Sequence, residues 1–118
     1  MRIGIIGAGP AGLFLGSALA RRGYEVVAVD RDTRPPDGRW SRPGVMQFHH
    51  AHGFRPQVGW ALEKEWPAAL DAWLVLGAEP IIMDVPGMGR VPAGHRSRRE
   101  TFERALWTAA ESAALAPL

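Results

Sequence analysis

The sequence contains no cysteine, and this absence excludes disulfides, thiolate metal ligands and a cysteine nucleophile. It is compatible with a reducing cytoplasm, which we expect as the location of the protein. Lysine is nearly absent as well, because Lys64 is the only lysine among 14 lysine and arginine residues. The formal net charge is only +2 and acidic residues are interspersed throughout, so we expect no nucleic-acid partner.

Charge is missing from residues 3–20. An uncharged run that follows Arg2 and ends in Ala18-Leu19-Ala20 is compatible with a signal peptide. However, glycines at positions 4, 7, 9, 12 and 16 weaken a continuous apolar helix. The run is also short for a membrane span, and Arg21-Arg22 follows it directly. We therefore assign it to a folded domain and expect no membrane partner. The 118 residues, of which 47% are hydrophobic, suffice for one small globular domain.

The amino-terminal residues carry a glycine motif. The branched apolar run at residues 3–6 predicts a buried parallel strand. Gly7, Gly9 and Gly12 follow in the order G-x-G-x-x-G, where the strand turns into a helix. In a dinucleotide-binding loop the first glycine allows the tight turn, the second lets a pyrophosphate approach the backbone, and the third lets the helix pack on the strand. The unpaired amides and the dipole of the helix start favour an anion.

The residues after the glycines complete a strand–helix–strand unit. Residues 13–20 predict a helix, which ends with Arg21-Arg22 and Gly23. Residues 26–29 predict a second apolar strand that finishes at Asp30. This acid lies about 20 residues beyond the glycines, as expected for a carboxylate that binds an adenosine ribose. The unit predicts an α/β, Rossmann-like dinucleotide-binding segment.

The segment from Arg31 to Pro43 is rich in residues typical of loops. One interpretation is a solvated surface loop. The other is that an arginine of this loop folds back onto the phosphates of the nucleotide. Asp30 argues against a ribose 2′-phosphate, since two anions would face each other, and Arg31 and Arg34 would offset this only in part.

Three of the four histidines, His49, His50 and His52, lie close together. Close-set histidines can bind a metal, but no further ligand stands at a suitable spacing. We therefore predict no metal site and favour a structural or cofactor-edge role. Gln47 and His50 are the candidates for contact with a ligand.

Helical patterns continue along the chain. Proline opens each of two predicted helices, over Pro56–Trp66 and from Pro67 to a stop at Gly77. Residues 81–85 predict a short strand, residues 86–89 a turn and residues 90–96 an irregular link. This pattern indicates extra helices beside the nucleotide-binding unit.

Residues Ser97 to Glu100 spell S-R-R-E, which predicts a capping box at the start of the last helix. Arg98 and Arg99 then lie in the first turn, where positive charge opposes the helix dipole. They indicate either an anionic partner, such as a phosphate, or a solvated pair. Glu100 and Arg104 form a favourable i,i+4 pair. The apolar face of this helix comprises Phe102, Leu106, Ala109, Ala110 and Ala113.

Taken together, these residues resemble a known family. The segment GIIGAGPAGLFLGSALARRGYEVVAVDRD, with Pro10 inside the glycine motif, resembles the amino-terminal segment of FAD-dependent monooxygenases of the aromatic hydroxylase and epoxidase type. The segment WSRPGVMQFHHAHGF is similar to a subgroup described as FAD-dependent oxidoreductases. Arg99, Phe102, Glu103 and Leu106 are similar to the family pattern R-x-x-L-E-x-x-L, whose arginine lies near the flavin.

The resemblance implies FAD as cofactor, NAD(P)H as co-substrate of the full-length enzyme, O₂ as oxidant and a small organic molecule as substrate. It assigns the pyrophosphate to the glycine loop, the adenosine ribose to Asp30, and the phosphate or flavin side to Arg42 and Arg99. The cofactor-binding candidates are Gly7, Gly9, Pro10, Ala11, Gly12, Asp30, Arg31, Arg42 and Arg99.

The chain covers only the first part of such an enzyme, and two family motifs, an Asp-Gly and a Gly-Asp segment, would lie beyond Leu118. We expect the final helix to end at Ala113-Ala114-Leu115, where a right-handed crossover would deliver a third parallel strand, and we expect no such strand within this chain. Residues 1–118 are accordingly interpreted as a partial, truncated FAD-binding domain that is inactive alone. Two alternatives remain open: a non-catalytic nucleotide-binding module, and a domain that binds NAD instead of FAD.

Overall fold

A computed structural model describes residues 1–112 and 116–117, which form an α/β fold with two small sheets. The predicted fold class, a Rossmann-like βαβ dinucleotide-binding segment with extra helices and an incomplete sheet, is confirmed. The elements in chain order are β1 (Arg2–Ile6), α1 (Pro10–Arg21), β2 (Glu25–Val29), β3 (Ala51–Phe54), α2 (Pro56–Glu65), α3 (Pro67–Val75), β4 (Glu79–Val85), β5 (Gly89–Arg98), α4 (Arg99–Ser112) and β6 (Ala116–Pro117).

The first sheet is parallel and has the order β1-β2-β6. Strands β1 and β2 are paired from Arg2 opposite Glu25 to Ile6 opposite Val29. The two-residue strand β6 then pairs with β2 in parallel. The expectation that the chain ends without a third strand is therefore wrong. Residues 113–115, where we expected the last helix to end, lie outside the described residues.

Only one face of this sheet is well covered. In β2, Val26 and Ala28 are buried, whereas Val27 and Val29 are partly exposed. In β1, Ile3 and Ile5 pack against the core, but Ile6 is 94% exposed. The prediction of a buried strand at residues 3–6 is therefore right only in part, since Ile3 and Ile5 are half-buried whereas Gly4 and Ile6 are exposed. This alternation is typical of a sheet that packs against other elements on one face.

The second sheet is antiparallel and has the order β3-β5-β4. The predicted strand over residues 81–85 and the turn after it are confirmed, since β4 and β5 form a hairpin. The prediction of an irregular link over residues 90–96 is wrong, because these residues belong to β5. Pro92 and Gly94 lie inside β5, and the pairing register shifts between Ile81 and Ile82. Proline and a bulge are exceptions within a strand, which explains the error.

Helix α4 lies at the centre of the core. It contacts α1, α3 and β5, and its buried residues point to more than one side. The predicted apolar face at positions 102, 106, 109 and 110 is confirmed, whereas Ala113 lies outside the described residues. Helices α2 and α3 form the predicted pair, with proline in the first turn of each. Among the described residues, one buried core cluster contains residues of β2 and of all four helices, and the partly buried Phe54 of β3 packs against it.

The predicted capping box at Ser97 is wrong. Ser97 is the penultimate residue of β5, and its hydroxyl accepts a hydrogen bond from Nε1 of Trp73 at 2.9 Å. The amides of Arg99 and Glu100 instead donate to backbone carbonyls of the 48–50 turn, at 3.2 and 2.9 Å. A backbone turn from a distant segment thus satisfies the start of α4, which a local pattern cannot reveal.

No helix of residues 1–112 combines the length and the apolar character that crossing a bilayer requires. The cytoplasmic location stays a prediction.

Candidate functional site

Two of the three motif glycines are required by the fold itself. Gly7 has a φ of 101°, a conformation that side chains disfavour, and its amide donates to the carbonyl of Val29 at 2.7 Å. A Cβ on Gly12 would overlap with the carbonyl oxygen of Gly7. These contacts bring the loop between β1 and α1 close against the helix, as the sequence predicted.

Gly9 is different, because no contact within the described part of the chain requires it to be glycine. Its φ is −78°, which every residue adopts readily. A Cβ placed on Gly9 would find Arg42 Nη1 at 3.8 Å as its nearest neighbour, an ordinary contact. Gly9 is the N-cap of α1, with Pro10 in the first turn and Ala11 exposed. A bare N-cap leaves the first-turn amides accessible to an anion.

Asp30 lies at the end of β2 and points towards the glycine loop. Its Oδ2 accepts hydrogen bonds from the amide of Ala8 at 2.7 Å and from Nη2 of Arg42 at 2.8 Å. Its Oδ1 accepts from the amide of Asp32 at 2.9 Å. A carboxylate has about four acceptor positions. One position therefore remains for a hydroxyl group such as that of a ribose.

These donors also set the protonation state of Asp30. Burial acts to raise the pKa of this carboxyl, but the amides of Asp32 and Ala8 and the guanidinium of Arg42 outweigh it and hold the pKa below its ordinary value. Asp30 is consequently an anion at neutral pH.

Arg42 is the central cation of the site and only 7% of its side chain is exposed. Besides Asp30, it binds Asp32 through Nε at 3.3 Å and Glu103 through Nη1. Burial acts to lower the pKa of Arg42, but the charges of Glu103 and Asp30 raise it above its ordinary value. The segment Arg31–Pro43 is thus not a fully solvated loop, since Trp40 is buried as well.

A cavity of about 410 Å³ opens between these groups, within the range of roughly 300–1,000 Å³ typical of small-molecule sites. Its polar lining includes Asp30, Arg31 and Arg42, and its apolar lining includes Ile6 and Val29. The guanidinium of Arg31 lies against Gly44, where a Cβ would overlap with it. The fold thus brings four of the predicted residues, Gly7, Asp30, Arg31 and Arg42, around one space.

Arg99 lies apart from this cavity. Its Nε binds Oε2 of Glu103 at 3.2 Å, so it reaches the site only through that carboxylate. At the start of α4, the amides of Arg99 and Glu100 are occupied by carbonyls of the 48–50 turn. The suggested anion position at this helix start therefore has fewer free donors than the sequence implied.

Sequence reasoning missed Asp32 and Glu103 as site residues. Asp32 lies two residues beyond Asp30, and Glu103 occupies the acidic position of the R-x-x-F-E-x-x-L segment. Both signals were present. Asp32 and Glu103 belong to the site because both bind Arg42. Arg42 is 61 residues away from Glu103 in the chain.

The histidine cluster does not form a metal site within residues 1–112 and 116–117, where no group of three potential ligands occurs. His49 binds Glu100 at 3.0 Å, and His52 lies 3.1 Å from the carbonyl oxygen of Gln47. Gln47 itself has a φ of 56°. These contacts describe a tight turn that also holds the start of α4.

A second, apolar cavity of about 360 Å³ lies between α1, α2 and α4. Pro10 and Ala11 contribute to it from the first turn of α1, Val58 from α2, and Phe102 and Leu106 from α4. This groove begins beside the glycine loop.

Comparison with known proteins identifies the domain type. The sequence profile described as NAD(P)-binding Rossmann-like domain matches residues 5–66. A stretch of 47 residues, 40% of this chain, is 43% identical to the NAD-dependent dihydropyrimidine dehydrogenase subunit PreT of Escherichia coli K12. The stretch spans 11% of that subunit.

Solved structures share the fold across nearly the whole chain. A 2-methyl-3-hydroxypyridine-5-carboxylic acid oxygenase matches with a TM-score of 0.70 at 18% identity, over 99% of this chain and 30% of its own. A peptidyl tryptophan dihydroxylase matches with a TM-score of 0.62 at 24% identity, over 99% and 24%. Aklavinone-11 hydroxylase, solved with FAD and aklavinone, matches with a TM-score of 0.61 at 22% identity, over 99% and 25%. The chain therefore spans about a quarter to a third of these proteins.

Proposed function

The chain belongs to the NAD(P)-binding Rossmann-like domain family, and from this membership we propose that it binds FAD as the cofactor-binding part of a flavin-dependent oxidoreductase of the monooxygenase type. The proposal covers a part of such an enzyme, because the solved relatives are three to four times longer than the matched region.

The observation that carries the proposal is Gly9. Its backbone angle and its surroundings would accept a side chain, so the fold does not account for the glycine. A ligand that approaches the backbone does account for it, because a side chain at the N-cap of α1 would occupy the position of a diphosphate.

The surrounding residues fit an adenine dinucleotide. The first-turn amides of α1 would bind the diphosphate, and Asp30 would accept a ribose hydroxyl in its remaining acceptor position. The cluster around Arg42 contains three carboxylates, of Asp30, Asp32 and Glu103, which favours an unphosphorylated ribose over a 2′-phosphate. Arg42 would supply positive charge to the diphosphate, and Arg31 would cover the nucleoside from the cavity wall.

When bound, FAD would supply the redox chemistry, with NAD(P)H as reductant, O₂ as oxidant and a small organic molecule as substrate. The residues of this chain would bind and orient the cofactor. We assign no catalytic acid or base to them.

FAD is favoured over NAD because the structures that match nearly all of the chain include a hydroxylase solved with FAD. NAD is the second candidate, since PreT is described as NAD-dependent and the matching sequence profile is described as NAD(P)-binding. Both cofactors contain an ADP group, so the glycine loop and Asp30 would serve either one.

The test is Gly9→Val. This variant should fold like the wild type and lose FAD binding by at least tenfold in a fluorescence titration, because the isopropyl group blocks the diphosphate. Gly38→Val is the matched control, since Gly38 lies in a loop with no atom near its Cβ position, and it should bind FAD normally. Equal FAD affinity of folded Gly9→Val and wild type would refute the site. Wild-type binding of NAD without FAD would replace the first candidate by the second.

A further inference from the structure

Glu103 is a fully buried carboxylate in the second turn of α4. Its Oε1 binds Nη1 of Arg42, and its Oε2 accepts from Nε of Arg99 at 3.2 Å. Burying a carboxylate is costly, and a well-packed apolar residue often stabilises a core as well as a buried ion pair does. A role in ligand binding would explain why this position carries a charge.

The three guanidinium nitrogens of Arg42 each bind a different carboxylate. Nη2 binds Asp30, Nε binds Asp32, and Nη1 binds Glu103. Nη1 is also the atom that lies 3.8 Å from the Cβ position of Gly9. The nitrogen held by Glu103 is therefore the one nearest to the space that the bare glycine leaves for a diphosphate.

The orientation of the Arg42 guanidinium matters because the cluster of charged side chains around it has a net negative charge. Three carboxylates face two guanidiniums, those of Arg42 and Arg99. The summed charge would not attract a phosphate. An anion at the glycine loop meets a favourable field only if the guanidinium of Arg42 is fixed with one edge towards Gly9. Without Glu103, Asp30 and Asp32 would be the remaining anions that orient Arg42.

On the basis of the proposed function, we infer that Glu103 is a positioning residue for the dinucleotide: its buried carboxylate holds Arg42 against the glycine loop, where the guanidinium meets the diphosphate. Glu103 itself does not touch the ligand. It acts from α4, a helix that the βαβ unit does not include, and it makes α4 part of the nucleotide site.

The test compares Glu103→Gln with wild type, using FAD, ADP and adenosine as probes. Glutamine keeps the shape of the side chain and removes its charge. The affinities for FAD and ADP should fall about ten- to a hundredfold, the range of one lost charge-assisted hydrogen bond, whereas the affinity for adenosine should change less than about threefold because adenosine has no phosphate. The matched control is Glu100→Gln on the same helix, whose carboxylate pairs with Arg104 and His49; it should leave all three affinities unchanged.

A double-mutant cycle separates positioning from general structural support. If Glu103 acts through Arg42, adding Glu103→Gln to Arg42→Gln should change FAD and ADP affinity by less than about twofold. Additive losses in the cycle, or equal losses for adenosine and ADP, overturn the inference. Should Glu103→Gln fail to fold in a thermal melt, Glu103→Asp takes its place. It keeps the charge but withdraws it from Arg42, and unchanged ADP affinity in that variant also overturns the inference.

The outcomes distinguish the inference from the function on which it rests. If wild type binds ADP and NAD but not FAD, the flavin proposal fails while the ADP arm still tests Glu103. If wild type binds FAD and folded Glu103→Gln binds it equally well, the flavin proposal stands and the role of Glu103 fails.

Discussion

The three glycines of the nucleotide-binding motif are needed for different physical reasons. Gly7 is required by its backbone angle and Gly12 by its contact with the carbonyl of Gly7. Gly9 has neither requirement. The sequence motif already predicts a different role for each glycine, and the structure shows which contacts require Gly7 and Gly12 within the fold.

The low pKa of Asp30 makes the stability of the fold depend on pH in the acid range. Its folded-state pKa lies below the ordinary value of about 3.9 that it has in the unfolded chain. Such a carboxylate contributes stability above the unfolded pKa, and this contribution is lost as the pH falls through the lower folded pKa. We predict that the free energy of unfolding decreases with falling pH below about 4, measured by urea denaturation.

The contribution of Asp30 can be separated from that of other carboxylates by comparing how steeply the unfolding free energy changes with pH in wild type and in two variants. Asp30→Asn should show a shallower decrease of the unfolding free energy in the same acid range, whatever its stability at neutral pH. Asp71→Asn, an exposed position in α3, should keep the wild-type slope. A wild-type slope in Asp30→Asn would contradict the prediction.

At the scale of elements, the sequence predicts those that depend on local chemistry. The strand, glycine loop, helix and second strand up to Asp30 follow from periodicity and turn residues, and so do the two helices opened by Pro56 and Pro67. The sequence does not predict β5, because Pro92 and Gly94 interrupt its pattern, nor β3, because Gly53 and two histidines hide the alternation around Ala51–Phe54. Strands β3 and β5 are stabilised by their pairing with each other, which is a tertiary contact that local sequence patterns do not show.

Gly94 is the residue on which that pairing depends. It has a φ of 114°, and a Cβ there would overlap with the carbonyl of Phe54 in the paired strand. Gly94→Ala should therefore destabilise the protein by roughly 2–4 kcal/mol in urea denaturation, since strain and a backbone clash add together. Gly38→Ala, which meets no atom within 4 Å, should change the stability by less than about 0.5 kcal/mol. Equal stability of the two variants would show that the β3–β5 pairing tolerates a side chain at this point.

At the scale of the whole molecule, the site is assembled from segments that are distant in sequence. The glycine loop and Asp30 come from one βαβ unit and were predicted. The contact between Arg42 and Glu103 spans 61 residues, and no periodicity or motif specifies such a pair. The same holds for the start of α4, which the 48–50 turn caps. Long-range pairing of charges is thus the part of the site that required the structure.

One core cluster joins both sheets, and this has a measurable consequence for ligand binding. Trp40, Trp66 and Trp73 are buried in the cluster together with Val26 and Ala28 of β2. A ligand at the glycine loop should therefore stabilise the entire described fold. We predict that ADP at a hundred times its dissociation constant raises the free energy of unfolding by about 2.7 kcal/mol.

The effect of ADP on unfolding can be followed with two spectroscopic probes, tryptophan emission and far-ultraviolet circular dichroism. Tryptophan emission follows the packing around the five tryptophans, among them Trp73, which contacts Phe54 and Phe102, whereas far-ultraviolet circular dichroism follows all helices and strands. Because these elements share one core, both probes should show the same transition midpoint with and without ADP. Gly9→Val should unfold at the same midpoint in either condition, since it retains the core but not the diphosphate position. Separate midpoints for the two probes, or an ADP shift seen by only one of them, would mean that the nucleotide unit and the second sheet unfold independently.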